Sequence, residues 1–283
     1  MSAAMLENLA LATDYVTSRG DPEPHLRRLA ETGFRHVHWC HQWNTDYLYP
    51  ADEVRRLAAL FRELGLSLND VHASSGDRHS WGSPWPWRRR AGIELVRNRI
   101  EITRELGSDV IVMHLPWFIR WWDSTSAWWS RFRRSLDALQ PFARERQVRI
   151  ALENMPFDNF VLIEQALAAY PPDFLGICYD AGHGTIAGNG LDRLEPLKAR
   201  LIALHLHDNE GEKDRHWPLF RGTTDWPRLA RLIATSGYAK PVLTIESNMH
   251  NVGDQSEKDF LAEIIAGGTR FAEMVAEARQ NKA

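Results

Sequence analysis

Eight short apolar runs alternate with amphipathic helical stretches from one end of this chain to the other, and no other feature restricts its fold as much. The runs occupy residues 9–15, 36–40, 67–72, 109–115, 149–154, 175–180, 201–207 and 241–246. They are rich in Val, Ile and Leu and are bounded by turn residues, the pattern of strands covered on both faces. Between them the hydrophobic period becomes that of helices. Residues 52–64 place Val54, Leu57, Ala58, Leu60 and Phe61 on one stripe and stop at Gly65. Gly33, Gly65 and Gly107 each precede a strand, where a short helix-to-strand loop calls for a left-handed residue.

Eight strand–helix units with no hairpin signals between them predict an α/β fold, a single (β/α)8 TIM barrel spanning residues 1–283. The alternative, an open doubly wound sheet, usually carries a glycine-rich phosphate loop after its first strand. Here that strand runs into Thr17-Ser18-Arg19-Gly20-Asp21-Pro22. No low-complexity tract or linker divides the 283 residues. Two connections are longer than the rest, residues 73–87 and 116–124, and in a barrel both lie on the face that carries function.

Composition narrows the partners. A net charge of −3 gives no general attraction to nucleic acid. Cys40 and Cys178 sit in apolar segments and read as buried, reduced thiols of a cytoplasmic protein. The first residues lack a basic start before their apolar run, so no signal peptide is expected, and no stretch is long and apolar enough to span a membrane. The 12 His and 12 Trp matter more for their placement than their number.

Six consecutive strands deliver a His, Asp or Glu to their C-terminal ends. They are His72, His114, Glu153, Asp180 with His183 after it, His205 and His207, and Glu246; the loop after the seventh strand adds Asp214, Arg215 and His216. Any one of these could cap a loop. Together, in a barrel, they converge on one pocket, where so many desolvated imidazoles and carboxylates would be costly without metal. Mixed nitrogen and oxygen donors suit Mn, Zn, Co or Fe, from one to three ions, better than Ca or Mg.

The phrases Asp109-Val-Ile-Val-Met-His114, Ala151-Leu-Glu153-Asn154, Tyr179-Asp180-Ala-Gly-His183 and Leu204-His-Leu-His-Asp208 resemble the xylose isomerase-like TIM-barrel superfamily. That group includes sugar isomerases, ketose epimerases and endonuclease IV. The resemblance to endonuclease IV implies a three-metal set of His72, His114, Glu153, Asp180, His183, His205, Asp214, His216 and Glu246. The resemblance to one-metal isomerases and epimerases implies Glu153, Asp180, His207 and Glu246. Both His205 and His207 point inward if the seventh strand is regular, so the sequence leaves the choice open. Xylose isomerase proper relies chiefly on carboxylates, and the ketose epimerases carry a Glu and an Arg where this chain has Asp208 and Arg215.

Tryptophans gather in the long loops: Trp81, Trp85 and Trp87 in one, Trp117, Trp121 and Trp122 in the other. They read either as an aromatic wall against a sugar ring or as loop and subunit packing. The second strand and its loop add His38, Trp39, His41 and Trp43. Of these aromatic groups, His38, Trp39, Trp81 and Trp117 are the candidates for contact with substrate. Arg88-Arg89-Arg90 opens the third helix, where an anionic substrate group would offset the placement of cations; Arg131-Phe132-Arg133-Arg134 reads as an exposed mid-helix face.

These readings predict a divalent-metal-dependent isomerase or epimerase for a sugar or related hydroxy-carbonyl compound, working by proton transfer through a stabilised enediolate. Glu153 and Glu246 are its expected acid and base, with His183 and Arg215 orienting substrate oxygens. A dehydratase is a close variant. The alternative is an endonuclease IV-like multinuclear hydrolase of phosphodiesters, for which the nine-residue match speaks and the acidic net charge does not. The expected partner is a small, sugar-like molecule, with no membrane or nucleic acid, and a homo-oligomer is open.

Overall fold

The computed structural model of the protein describes residues 6–76, 78–115, 124–157 and 159–281. Among them, eight parallel strands run in the order β7-β6-β5-β4-β3-β2-β1-β8. They are β1 (Leu9–Ala12), β2 (His36–Trp39), β3 (Ser67–His72), β4 (Val110–His114), β5 (Arg149–Glu153), β6 (Leu175–Asp180), β7 (Leu201–His205) and β8 (Leu243–Ile245). A parallel bridge between Leu206 and Ile245 joins the two ends, so the sheet closes on itself. This is the predicted (β/α)8 barrel.

Each apolar run becomes a strand within a few residues of its expected bounds. The largest shortfalls are at the first and the eighth, where the ladder holds only Leu9–Ala12 and Leu243–Ile245. Beyond His205 the chain also leaves the regular ladder. Leu206 turns to bond with Thr244 and Glu246, and Asp208 pairs antiparallel with Trp217. That antiparallel pair folds the loop carrying Asp214 and His216 back over the barrel mouth.

The helices that matter for the site are α1 (Glu23–Thr32), α2 (Ala51–Leu64), α3 (Pro86–Glu105), α4 (Thr125–Glu145), α5 (Phe160–Ala169), α6 (Ala181–Ile186), α7 (Gly190–Leu194), α8 (Trp226–Ala234) and α9 (Glu257–Gln280). Gly33 and Gly65 follow α1 and α2 with φ of 105° and 64°, the left-handed turn their spacing calls for. Arg131, expected on an exposed face of α4, is buried, while Arg133 and Arg134 are exposed.

The two-residue period of the strands sorts the core. The outer faces, with Val37, Val71, Ile111, Leu152, Leu204 and Ile245, pack with residues of the helices, among them Val96, Phe132, Ile163 and Leu229. A smaller cluster of Val110, Val112, Ala151, Cys178, Ile202 and Ala203 forms separately. On β4, β5, β6 and β7 it shares a face with His114, Glu153, Asp180 and His205. Apolar residues therefore plug the barrel, and polar ones stand above them at the strand ends. Cys40 and Cys178 are free and buried. No helix of the described residues is long and apolar enough to cross a membrane.

Candidate metal centre

Strand register builds the centre. His114 is the cross-strand partner of Glu153, and Asp180 is that of His205. Glu246, one residue past β8, completes a ring of four donors: one atom each from Glu153, Asp180, His205 and Glu246 lies within 4.8 Å of the others. His205 Nδ1 stands 3.3 Å from Glu153 Oε2 and 3.0 Å from Glu246 Oε2, so it sits between the two carboxylates. Asp180 serves two structures at once. Its Oδ1 caps α6 by accepting from the His183 amide at 2.6 Å, and its Oδ2 lies 3.0 Å from His207 Nε2.

Two further sets flank this ring. On one side His72 and His114 meet Glu153: the two Nε2 atoms are 3.0 Å apart, and His114 Nε2 is 3.3 Å from Glu153 Oε2. His72 donates its Nδ1–H to the Ala73 carbonyl at 2.9 Å, which leaves a bare lone pair on Nε2. On the other side stand His183, His207, Asp214 and His216. His183 gives its Nδ1–H to the Asn154 carbonyl and His216 gives its Nδ1–H to the Glu246 carbonyl, at 2.9 and 2.5 Å. Both Nε2 atoms then face Asp214 Oδ2, at 3.2 and 3.3 Å. His216 has φ of 48°, unusual for a residue with a side chain, and its ring stacks on His207 at 4.0 Å.

These residues fit divalent cations. Glu153 Oε2 and the nitrogens of His205 are buried close to charged neighbours without a well-aligned hydrogen bond among the described residues, a crowding that is costly unless a cation shares their lone pairs. Ring nitrogens whose opposite N–H is tied to a carbonyl are oriented as metal ligands are. Protons carry the missing charge when no ion is present. Burial opposes ionisation of Glu246, yet the neighbouring His205 holds it well below the usual carboxylate range. Glu153 is likewise held low against its burial, by His205 and His114. Burial disfavours the charged form of His216, but the Asp214 carboxylate outweighs it and raises the imidazole to about 10. His72 goes the other way, to about 3, because burial and the nearby His114 both disfavour its charge.

A cavity of about 300 Å³ opens above the three sets, walled by Trp43, Asn44, Ser75 and Met155 over the donor residues. Trp43 lies 4.7 Å from the His72 ring. The ten residues expected to bind metal all come together. Within them the structure groups His205, rather than His207, with Glu153, Asp180 and Glu246, because His205 pairs with Asp180 on the ladder while His207 lies beyond it.

Other expected contacts fall elsewhere. Arg215, assigned to substrate oxygens, pairs with Glu210 at 2.8 Å and lies over Trp217, outside the cavity wall. Trp39 is buried on the outer face of β2, donating to Tyr49 Oη and packing on Phe61. Trp81 is buried against Phe132. Trp85 and Trp87 are about half exposed, at 49% and 54%. His38 lies inside the barrel, bonded to Asp70. Trp117, Trp121 and Trp122 lie outside the described residues. Asn44, Ser75 and Met155 carried no motif, and Asn154, which closes the phrase Ala151-Leu-Glu153-Asn154, is assigned no orienting role by the sequence. Asn154 holds Asp180 by both backbone groups, at 2.8 and 2.9 Å, as well as His183. Its signal in the sequence was only its place beside Glu153.

A barrel whose strand ends gather histidines and carboxylates into one polar mouth defines a class, the TIM barrels with a polar site at the C-terminal ends of their strands. Residues 26–265 match the family model described as xylose isomerase-like TIM barrel, and the chain belongs to that family. It is 31% identical to the uncharacterized protein y4fM of Sinorhizobium fredii, over 91% of each chain. It is 25% identical to L-ribulose-5-phosphate 3-epimerase UlaE of Escherichia coli O1:K1 / APEC, over 76% of this chain and 79% of that one. Among solved structures, a D-tagatose 3-epimerase-like protein superposes with a TM-score of 0.79 at 20% identity, over 98% of this chain and 100% of the other.

Proposed function

We propose that the protein is a divalent-metal-dependent isomerase or epimerase of a sugar or related hydroxy-carbonyl compound. The observation that carries this reading is the placement of Glu153 and Glu246 on either side of His205, from strands on different sides of the barrel, beneath a cavity of about 300 Å³. The kinship with UlaE, an L-ribulose-5-phosphate 3-epimerase, agrees with it.

Glu153, Asp180, His205 and Glu246 would hold the ion. When bound, it polarises a substrate carbonyl and stabilises negative charge on the oxygens of the enediolate. The two glutamates have the geometry for epimerisation, in which one, as a carboxylate, removes a proton from one face of a carbon while the other, as a carboxylic acid, delivers its own proton to the opposite face and is left a carboxylate. Neighbouring histidines hold both glutamates low in the metal-free protein, so either can serve as the base, and its counterpart takes up a proton from solvent before it serves as the acid. His183, with its Nδ1–H engaged by the Asn154 carbonyl and its Nε2 turned toward Asp214 at the cavity wall, would donate from Nε2–H to a substrate oxygen. Trp43 offers an apolar wall that excludes water.

The flanking donor sets favour a second reading, a multinuclear hydrolase of phosphate esters, in which His72, His114, His183, Asp214 and His216 hold further ions. One experiment separates the two. Ketoses and ketose phosphates, L-ribulose 5-phosphate among them, are incubated with Mn²⁺-loaded protein in D₂O. Deuterium wash-in next to the carbonyl, lost in Glu153→Gln, is the expected result. Hydrolysis of a phosphodiester without any wash-in would establish the second reading instead.

A further inference from the structure

Below the ring of metal-ligand candidates, the barrel interior carries a buried polar pair that neither reading uses. His38 on β2 and Asp70 on β3 are cross-strand partners, and both are shielded from solvent. His38 donates its Nδ1–H to Asp70 Oδ1. The other carboxylate oxygen of Asp70 accepts from Asn69 Nδ2 at 2.9 Å and from Thr244 Oγ1 at 3.4 Å. The pair is thus anchored from below.

Its upper end is open. His38 Nε2 is buried and has no hydrogen-bond partner among the described residues. The His38 ring lies 4.6 Å from that of His205, and one donor atom each from His38, His205 and Glu246 falls within 4.8 Å of the others. A nearby histidine shows what a purely structural imidazole looks like in this fold. His41 has both ring nitrogens engaged at 2.7 Å, one by Tyr49 Oη and the other by the Gly20 carbonyl. His38 instead has a carboxylate fixing one nitrogen and a bare lone pair on the other, beside a histidine and a glutamate. That is the arrangement by which a carboxylate orients a histidine toward a metal and raises its basicity.

We propose that His38 Nε2 is a further ligand for a divalent cation held with His205 and Glu246, and that Asp70 is the carboxylate that orients it. The inference rests on the metal-binding part of the proposed function and is independent of the reaction catalysed. It adds a nitrogen donor from β2, a strand that contributes nothing to the other donor sets.

The test is a titration of the metal-free full chain with Co²⁺, whose visible absorption reports the number and kind of its ligands. Wild type, His38→Gln and Asp70→Asn are compared, with affinity measured by chelator competition and folding by the circular dichroism of the metal-free proteins. His38→Gln is expected to alter the Co²⁺ band and lose at least about 10-fold in affinity. Asp70→Asn, which keeps the imidazole, is expected to lose about 10- to 100-fold. A folded His38→Gln variant with the wild-type band and affinity overturns the proposal and leaves the metal reading intact. Should His38→Gln not fold, unchanged Co²⁺ affinity in Asp70→Asn overturns it equally. Wild-type protein that binds no Co²⁺ overturns both.

Discussion

Single side chains in this centre divide their atoms between the fold and the site. Asp180 gives one oxygen to the first turn of α6 and turns the other toward His207. Glu246 is simpler, since its carboxylate faces His205 and its carbonyl fixes His216. Replacing Glu246 by Gln keeps both shape and backbone and removes only the charge. Turnover is expected to fall by about 10²- to 10⁴-fold, with weaker metal retention and an intact fold, as checked by kcat, bound metal and circular dichroism. Full activity in a metal-replete variant would remove Glu246 from the machinery. His216 sets a pH dependence. Its proton is held to about 10 in the metal-free fold against an ordinary 6.5, so the stability it contributes is complete below 6.5 and is lost as the pH rises through about 10. A cation needs the same nitrogen bare, so proton and ion compete. Metal affinity should therefore rise between those values, and binding near pH 7.5 should release protons, as read by calorimetry in buffers of different ionisation enthalpy. Flat affinity with no release would show that His216 takes no ion.

At the scale of elements, the short helix α6 decides how closely the seventh strand's histidines can approach. Gly182 lies in its first turn without a left-handed backbone, yet a Cβ there would stand 2.0 Å from His207 Cε1. Gly182→Ala is thus expected to leave the helix formed and push the His207 ring off its stack on His216, costing about 1–3 kcal/mol from overpacking. Urea unfolding and metal retention check this. Gly184→Ala, whose Cβ would meet Tyr179 Oη at 2.3 Å, is the control that strains the same helix on another face. Destabilisation with equal metal loss in both would show that His207 plays no special part. Elements of this kind were largely legible in the sequence. Apolar strands that end in Glu153, Asp180 or His114 announce both the ladder and the rim. Parity was legible too and decides between His38 and Trp39, because adjacent residues on a strand face opposite sides and only one can point inward. Parity fails for His205 and His207, which share a face. Their separation depends on where the ladder stops, and the antiparallel pair Asp208–Trp217 sets that point from far along the chain. Arg215 escaped for a related reason, since a loop residue's partner, here Glu210, follows from loop geometry and not from strand period.

For the molecule as a whole, the deciding quantity is how many cations one barrel holds. Three donor sets share Glu153 or stand beside it, so filling one changes the charge felt by the next. Ions that bind only the folded state add to its stability, and exhaustive chelation should lower the melting temperature in every case, with recovery on adding Mn²⁺, Co²⁺ or Zn²⁺. The size of that change and elemental analysis distinguish the two chemistries. If the isomerase site alone is filled, about one ion per chain is expected, held through Glu153, Asp180, His205 and Glu246 as a carbonyl-polarising metal. His216→Ala would then raise KM or slow turnover without loss of metal, because His216 would contact substrate and not the ion. If the flanking sets are filled as well, two or three ions should be found, and His72→Ala and His216→Ala should each lower that number. The −3 net charge and the small cavity favour the first outcome, since binding a long phosphodiester depends on neutralising many phosphates. Two or three tightly held ions, together with phosphodiester hydrolysis lost in both alanine variants, would reverse that preference.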